Sequence, residues 1–169
     1  MDELRKLYES LGLTNVKTLV NSGNVVFTGG GKGLRKKLED AINKTFGFHS
    51  HVVLRTTAEL RETVARNPWT NRKDIEPNKL LVWFLADKPS AEAIEEARKI
   101  RSDTEEMIAG ERELFVYFRA GMARPKINFT QIERVLKVPG TGRNWNTVTK
   151  LLEIAESIET TGSSRKTRS

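Results

Sequence analysis

Near the carboxyl end, Arg143-Asn144-Trp145 places a permanent cation, an amide and an indole directly ahead of a segment with helical apolar spacing. A helix that opens there turns unpaired backbone N–H groups and its positive dipole end outward, which suits a phosphate or carboxylate. Trp145 could stack on a ring of the same ligand, Thr141 adds a hydroxyl, and Lys126 is a second cation nearby in sequence. The same residues also admit a structural reading, in which Asn144 caps the helix, Trp145 fills the core and Arg143 pairs with a carboxylate.

A second constellation, Asn21-Ser22-Gly23-Asn24, would present two amides and a hydroxyl at a hairpin tip, although turn chemistry alone accounts for all four residues. The run Gly29-Gly30-Gly31-Lys32-Gly33 stands before a helix but lacks the Gly-Lys-Ser/Thr ending of a phosphate loop, which excludes a Walker-type ATPase. Lys32, Arg35, Lys36 and Lys37 could face a nucleic-acid backbone, or simply form a solvated helix face. His49 and His51 alternate, as a metal pair on a strand would, but no third ligand accompanies them and no metal or cofactor is expected. Carboxylates such as Glu92, Glu95, Glu96, Glu105 and Glu106 fall on helix surfaces and turns without marking an acid and base pair. No serine sits in a nucleophile elbow.

The elements that must position these residues are readable from spacing. Leu4, Leu7, Tyr8 and Leu11 define a helix over residues 2–11, closed by Gly12. Residues 16–20 and 25–28 form a hairpin, and Leu34, Leu38, Ile42 and Phe46 mark a second helix. Residues 51–55 are predicted as a strand, followed by a helix with the capping-box spacing Thr56 to Glu59, which Pro68 ends. The polar, aperiodic stretch 71–78 is the best linker. Beyond it, residues 80–85 read as a central strand buried on both faces, Ser90 opens a helix, and residues 105–109 and 113–119 form a second hairpin. Helices over 127–138 and 144–158 close the chain. The predicted organisation is therefore a half over 1–70, the linker, a half over 79–159 and a disordered basic tail over 160–169. Both halves share the order helix, hairpin, helix; the second opens with a strand, and by analogy the first should too, so an opening strand is inferred to be lost.

Composition bounds the function. No apolar run approaches the roughly 20 residues of a membrane span, and the absence of cysteine removes disulfides, thiolate metal sites and a cysteine nucleophile. Neither a membrane partner nor export is expected, and a cytoplasmic location fits. Of the net charge of +7, three positive charges lie in residues 162–169, leaving a modest +4 for the rest.

Several segments resemble the domain of unknown function 1697 family: Leu11-Gly12 at the end of the first helix, the run Thr18-Leu19-Val20-Asn21-Ser22-Gly23-Asn24-Val25-Val26-Phe27, the block Gly121-Met122-Ala123-Arg124-Pro125-Lys126, and Thr141-Gly142-Arg143-Asn144-Trp145-Asn146-Thr147-Val148-Thr149-Lys150-Leu151-Leu152. The resemblance implies a bacterial origin and a duplicated α+β architecture on the ferredoxin-like plan, two βαββα halves of which the first lacks its opening strand. It implies no activity. It also implies a leading strand and an Arg-Gly-Ile-Asn loop ahead of the first helix, and neither is seen before Asp2. Pro125 stands where the family commonly has serine, which weighs against hydroxyl chemistry there.

The leading functional expectation is a non-catalytic binding module for an anionic ligand, either nucleic acid or a phosphorylated small molecule. A small enzyme with Arg143, Asn144 and Lys126 in a cleft between the halves is the alternative. A third is an interaction module, in which an unpaired sheet edge near residues 16–28 supports strand addition or a homodimer.

Overall fold

The computed structural model describes residues 2–19, 23–100, 105–121, 129–159 and 166–168. Helix α1 (Asp2–Ser10) leads into the antiparallel pair β1 (Thr14–Leu19) and β2 (Asn24–Thr28), then α2 (Leu34–Phe46). The apolar stripe of α2 buries Leu34, Leu38 and Ile42, and these join Tyr8, Val25 and Phe27 in one core. Strand β3 (Arg55–Thr56) runs straight into α3 (Thr57–Ala65). The capping box forms as its spacing predicts: the Glu59 N–H donates to Thr56 Oγ1 at 3.1 Å and the Thr56 N–H to Glu59 Oε1 at 2.8 Å.

Next come β4 (Leu80–Leu85), α4 (Ala91–Arg98), β5 (Glu105–Ala109), β6 (Glu113–Phe118) and α5 (Phe129–Leu136), followed by β7 (Gly140–Asn144), α6 (Trp145–Glu159) and β8 (Lys166–Arg168). Ser90 caps α4 by accepting from the Ala93 N–H at 3.1 Å. Among the described residues, the mixture of six α-helices and two four-stranded sheets is an α+β architecture. One sheet has the order β5-β6-β4-β7, so β4 is central and antiparallel to both neighbours, the connectivity of a βαββαβ unit. The other has the order β1-β2-β8-β3.

Four expectations are corrected. The strand predicted over residues 51–55 shrinks to Arg55–Thr56, because the Val52 N–H bonds the Glu39 carboxylate at 2.9 Å instead of a ladder partner. Residues 140–144, read as loop and helix start, are strand β7, paired with β4 along its whole length. The tail expected to be disordered contributes β8, which pairs with β2 and with β3. Finally, β2 has neighbours on both sides, so among the described residues the hairpin's outer strand is β1 and an edge does not run along the whole 16–28 hairpin.

The chain divides into two compact units, one of residues 1–62 with 150–169 and one of residues 63–149. The cut differs from a linear break at 71–78. That stretch belongs to the second unit, where Tyr117 Oη donates to the Asp74 carbonyl at 3.0 Å and Arg72 bridges Asp74 and Glu106. The Arg72 guanidinium holds the Asp74 carboxyl below its ordinary value. The later turns of α6 group with the first unit, where Arg61 pairs with Glu156 at 2.9 Å.

Strand β7 fits because it lacks side chains where Trp83 lies. A Cβ on Gly140 would collide with the Trp83 indole and meet the Phe84 carbonyl oxygen at 2.9 Å, and one on Gly142 would crowd Trp83 and Leu81. Gly140→Ala is expected to lower stability by about 1–3 kcal/mol. The measurement is the urea midpoint at unchanged slope; a variant as stable as the parent would disprove that Trp83 packs on β7.

Candidate functional site

Strand β7 brings two of the candidate residues together. Thr141 and Arg143 alternate along it and share one face, opposite Phe84 and Val82, both fully buried. Arg143 Nη1 donates to Thr141 Oγ1 at 2.7 Å and to the Gly142 carbonyl at 2.8 Å. Burial pushes the guanidinium below its ordinary pKa, because a desolvated cation loses hydration that water would supply.

Arg143 Nη1 meets a hydroxyl and a carbonyl, and two other arginines of this unit meet carboxylates. Arg66 reaches Oε1 of the buried Glu113 at 2.8 Å, and Glu113 Oε2 accepts the Arg112 N–H at 3.0 Å. Arg72 is matched by two carboxylates. Those two arginines pair with acids of the fold, and Thr141 and the Gly142 carbonyl orient the Arg143 fork.

Asn144 ends β7 and caps α6: its Oδ1 accepts the Asn146 N–H at 2.8 Å, and its Nδ2 donates to the Asn78 carbonyl at 3.2 Å. The capping role foreseen for it is therefore present, but Arg143 and Asn144 sit in a strand, and only Trp145 is in the helix. Trp145 is half-buried, neither sealed in the core nor fully open. Asn78 was missed by motif reading, because its contribution is a backbone carbonyl at the end of an aperiodic stretch. Another missed feature is the stack of Trp83 on Phe129, with centroids 4.5 Å apart and planes at 19°.

The remaining candidates do not join this cluster. Lys126, Asn21 and Ser22 lie outside the described residues. Asn24 is the first residue of β2, is 0% exposed and has an interaction partner within the protein, so it does not present its amide at a hairpin tip. Lys32, Arg35, Lys36 and Lys37 are exposed on the turn before α2 and its first turn, in the other unit. His49 and His51 fall in irregular chain and not a strand, with their rings edge to face at 5.2 Å. Among the described residues, no group of three or more His, Cys, Asp or Glu could hold a metal. A cavity of about 520 Å³ opens between the start of α4 and the end of α5, from Asp87 to Ser90 and Val135 to Pro139, and none of the candidates lines it.

Fold and site together define an α+β protein with a βαββαβ unit that carries a desolvated arginine on its last strand. The profile of the family described as protein of unknown function (DUF1697) matches residues 1–115, and the chain belongs to that family. The match ends before β7, so it bears on neither Thr141 nor Arg143. Among solved structures the chain is similar to the conserved bacterial protein SP0830 from Streptococcus pneumoniae, at a TM-score of 0.67 and 23% identity over 92% of this chain and 88% of that one. That likeness concerns the fold. No curated protein matched.

The cap can be separated from ligand chemistry. Asn144→Ala should cost about 1 kcal/mol of stability, with Asn144→Asp retaining most of it. Thermal unfolding of the three proteins decides this; an alanine variant with unchanged Tm would mean that Asn144 does not hold the start of α6.

Proposed function

We propose that the protein is a non-catalytic binding module for a phosphate-bearing ligand, with Arg143 as the anchor. The observation that supports this reading is the half-buried guanidinium held by Thr141 Oγ1 and the Gly142 carbonyl on β7. A rigid fork of N–H donors in a partly desolvated setting matches phosphate geometry and gains more from an anion than an exposed lysine would. The half-buried Trp145, two residues on, is a surface for a ring attached to that phosphate.

Nucleic acid and a phosphorylated small molecule share this chemistry and differ in footprint. A nucleic acid would present several phosphates, and its affinity would fall steeply with salt. A mononucleotide or sugar phosphate would bind through Arg143 with a shallow salt dependence. A small enzyme, the second reading, would require a cavity around Arg143 and Asn144. Among the described residues no helix is long and apolar enough to cross a membrane, and the cysteine-free chain suits a reducing compartment, so the proposed location is the cytoplasm.

The test is a thermal-shift series with nucleotides, sugar phosphates and short oligonucleotides. A ligand at a hundredfold excess over its Kd should stabilise the protein by about 2.7 kcal/mol, and Arg143→Gln should abolish the shift. Equal shifts in the parent and the Gln variant, or none across the series, would reject Arg143 as the anchor. For an oligonucleotide hit, a flat response between low and physiological salt would reject backbone recognition.

A further inference from the structure

We propose that β5 is a dimer interface, at which two copies of this chain join antiparallel through residues 106–110 about a twofold axis at Ile108. The strand is an edge, first in the order β5-β6-β4-β7. Its ladder with β6 decides which backbone groups point outward. The Gly110 N–H donates to the Glu113 carbonyl at 2.8 Å, and the pairing continues without a register shift from Ala109–Leu114 to Glu105–Phe118. Hydrogen-bonded residues alternate in an antiparallel ladder, so Ile108 and Glu106 turn their N–H and C=O groups to β6, while Met107 and Ala109 turn theirs away from the sheet.

The other outer strands are guarded against such pairing, and β5 is not. Strand β1 carries a register shift between Thr14 and Lys17, Asn15 in the left-handed region at φ 52°, and an exposed Lys17. Strand β3 has two residues, and β7 contains two glycines. Bulges, outward lysines and short strands are the usual means of preventing edge-to-edge contact. By contrast, β5 runs for five residues in unbroken register, with no lysine, proline or glycine. It also leaves Ile108 42% exposed, one of two large apolar side chains in that state among the described residues.

The strand complements itself, which sets the partner as a second copy. With the axis at Ile108, that side chain meets its own counterpart at a non-hydrogen-bonded position, where facing Cα atoms come closest, about 4.5 Å apart. Met107 and Ala109 of one copy exchange backbone bonds with Ala109 and Met107 of the other. Glu106 faces Gly110 and not a second acid, and the ladder ends there, ahead of the turn. Charge matches as well. At one end of β5, Arg72 bridges Asp74 and Glu106, two acids to one cation. Past the other end, the turn holds Arg112 and the Lys88–Glu111 pair, two cations to one acid. Antiparallel pairing lays the acidic end of each copy on the basic end of the other, twice over by symmetry. All these residues lie in the second unit. Arg143 is on β7, the outer strand on the opposite side of the same sheet, so the dimer leaves it uncovered by this joint and its outcome is independent of the anion reading.

The experiment is sedimentation equilibrium of the full chain without ligand, from about 1 μM to about 200 μM, where a small edge-to-edge joint associates. A monomer–dimer equilibrium is expected. Ile108→Lys sets two like charges against each other at the axis and should raise the dimer Kd at least about tenfold. Ala109→Pro removes an outward N–H and leaves the bonds to β6 in place, and it should raise the Kd by a similar factor. Amide exchange of the parent chain keeps the test decisive if a variant misfolds. Between the two ends of the concentration range, exchange at Met107 and Ala109 should slow by about tenfold, while Glu106 and Ile108, already bonded to β6, change less. A monomer throughout the range overturns the proposal and leaves the edge to a different partner or to none. A dimer whose Kd is the same in both variants, or one that protects the amides of β1 and not those of Met107 and Ala109, overturns it by placing the joint elsewhere.

Discussion

In a four-stranded sheet of the βαββαβ kind, the strand that stands between the hairpin and the final strand must be hydrogen-bonded along both edges. Its N–H and C=O groups are buried, and each one left unpaired costs about as much as a lost hydrogen bond. In the second unit β4 meets this constraint fully, and much else follows from it. Strand β7 is Gly-Thr-Gly-Arg-Asn, a sequence with almost no intrinsic preference for extended structure. It is a strand because β4 offers an unpaired edge, and because Gly140 and Gly142 leave room for the Trp83 ring on one face. The opposite face then carries Thr141 and Arg143 beside Val82 and Phe84, which places the guanidinium where burial can act on it. The candidate site is thus a consequence of how the central strand is paired.

The dependence on long-range pairing also separates what the sequence discloses from what it conceals. Helices α1, α2 and α4, both hairpins and the capping box of α3 each rest on local signals, namely apolar spacing, a turn or a cap, and the structure bears them out. Strands β7 and β8 have no such signal; their extended form is imposed by neighbours distant in sequence. The same reason explains residues 51–54, where Val52 and Val53 are buried as a strand would bury them, yet the Val52 N–H is taken by Glu39. At the candidate site the residue types were legible and their geometry was not. Arg143 and Asn144 stood out as a helix entrance, but only the ladder with β4 shows that Arg143 belongs to a strand, with Thr141 as its hydrogen-bond partner.

Net charge is a poor guide to where this protein meets an anion. Much of the basic excess lies near the carboxyl terminus, and the exposed lysines near the start of α2 are strongly hydrated point charges. Of the arginines in the second unit, Arg66 and Arg72 face carboxylates of their own fold. Position on β7, partial burial and an oriented fork distinguish Arg143, none of which a count of basic residues registers. Chemistry there would be selected by fork geometry more than by long-range attraction, which favours a discrete phosphate group over a diffuse polyanion surface.

The two sheets meet the same constraint by different means. In the second unit the central strand precedes the first helix and is apolar throughout, so local sequence, burial and pairing agree, as they do in a strongly specified element. In the first unit the central position is reached from the far end of the chain, after a polar run, by residues whose composition does not specify a strand. Its extended form there follows from the ladders with β2 and β3 and not from strand preference in its own sequence.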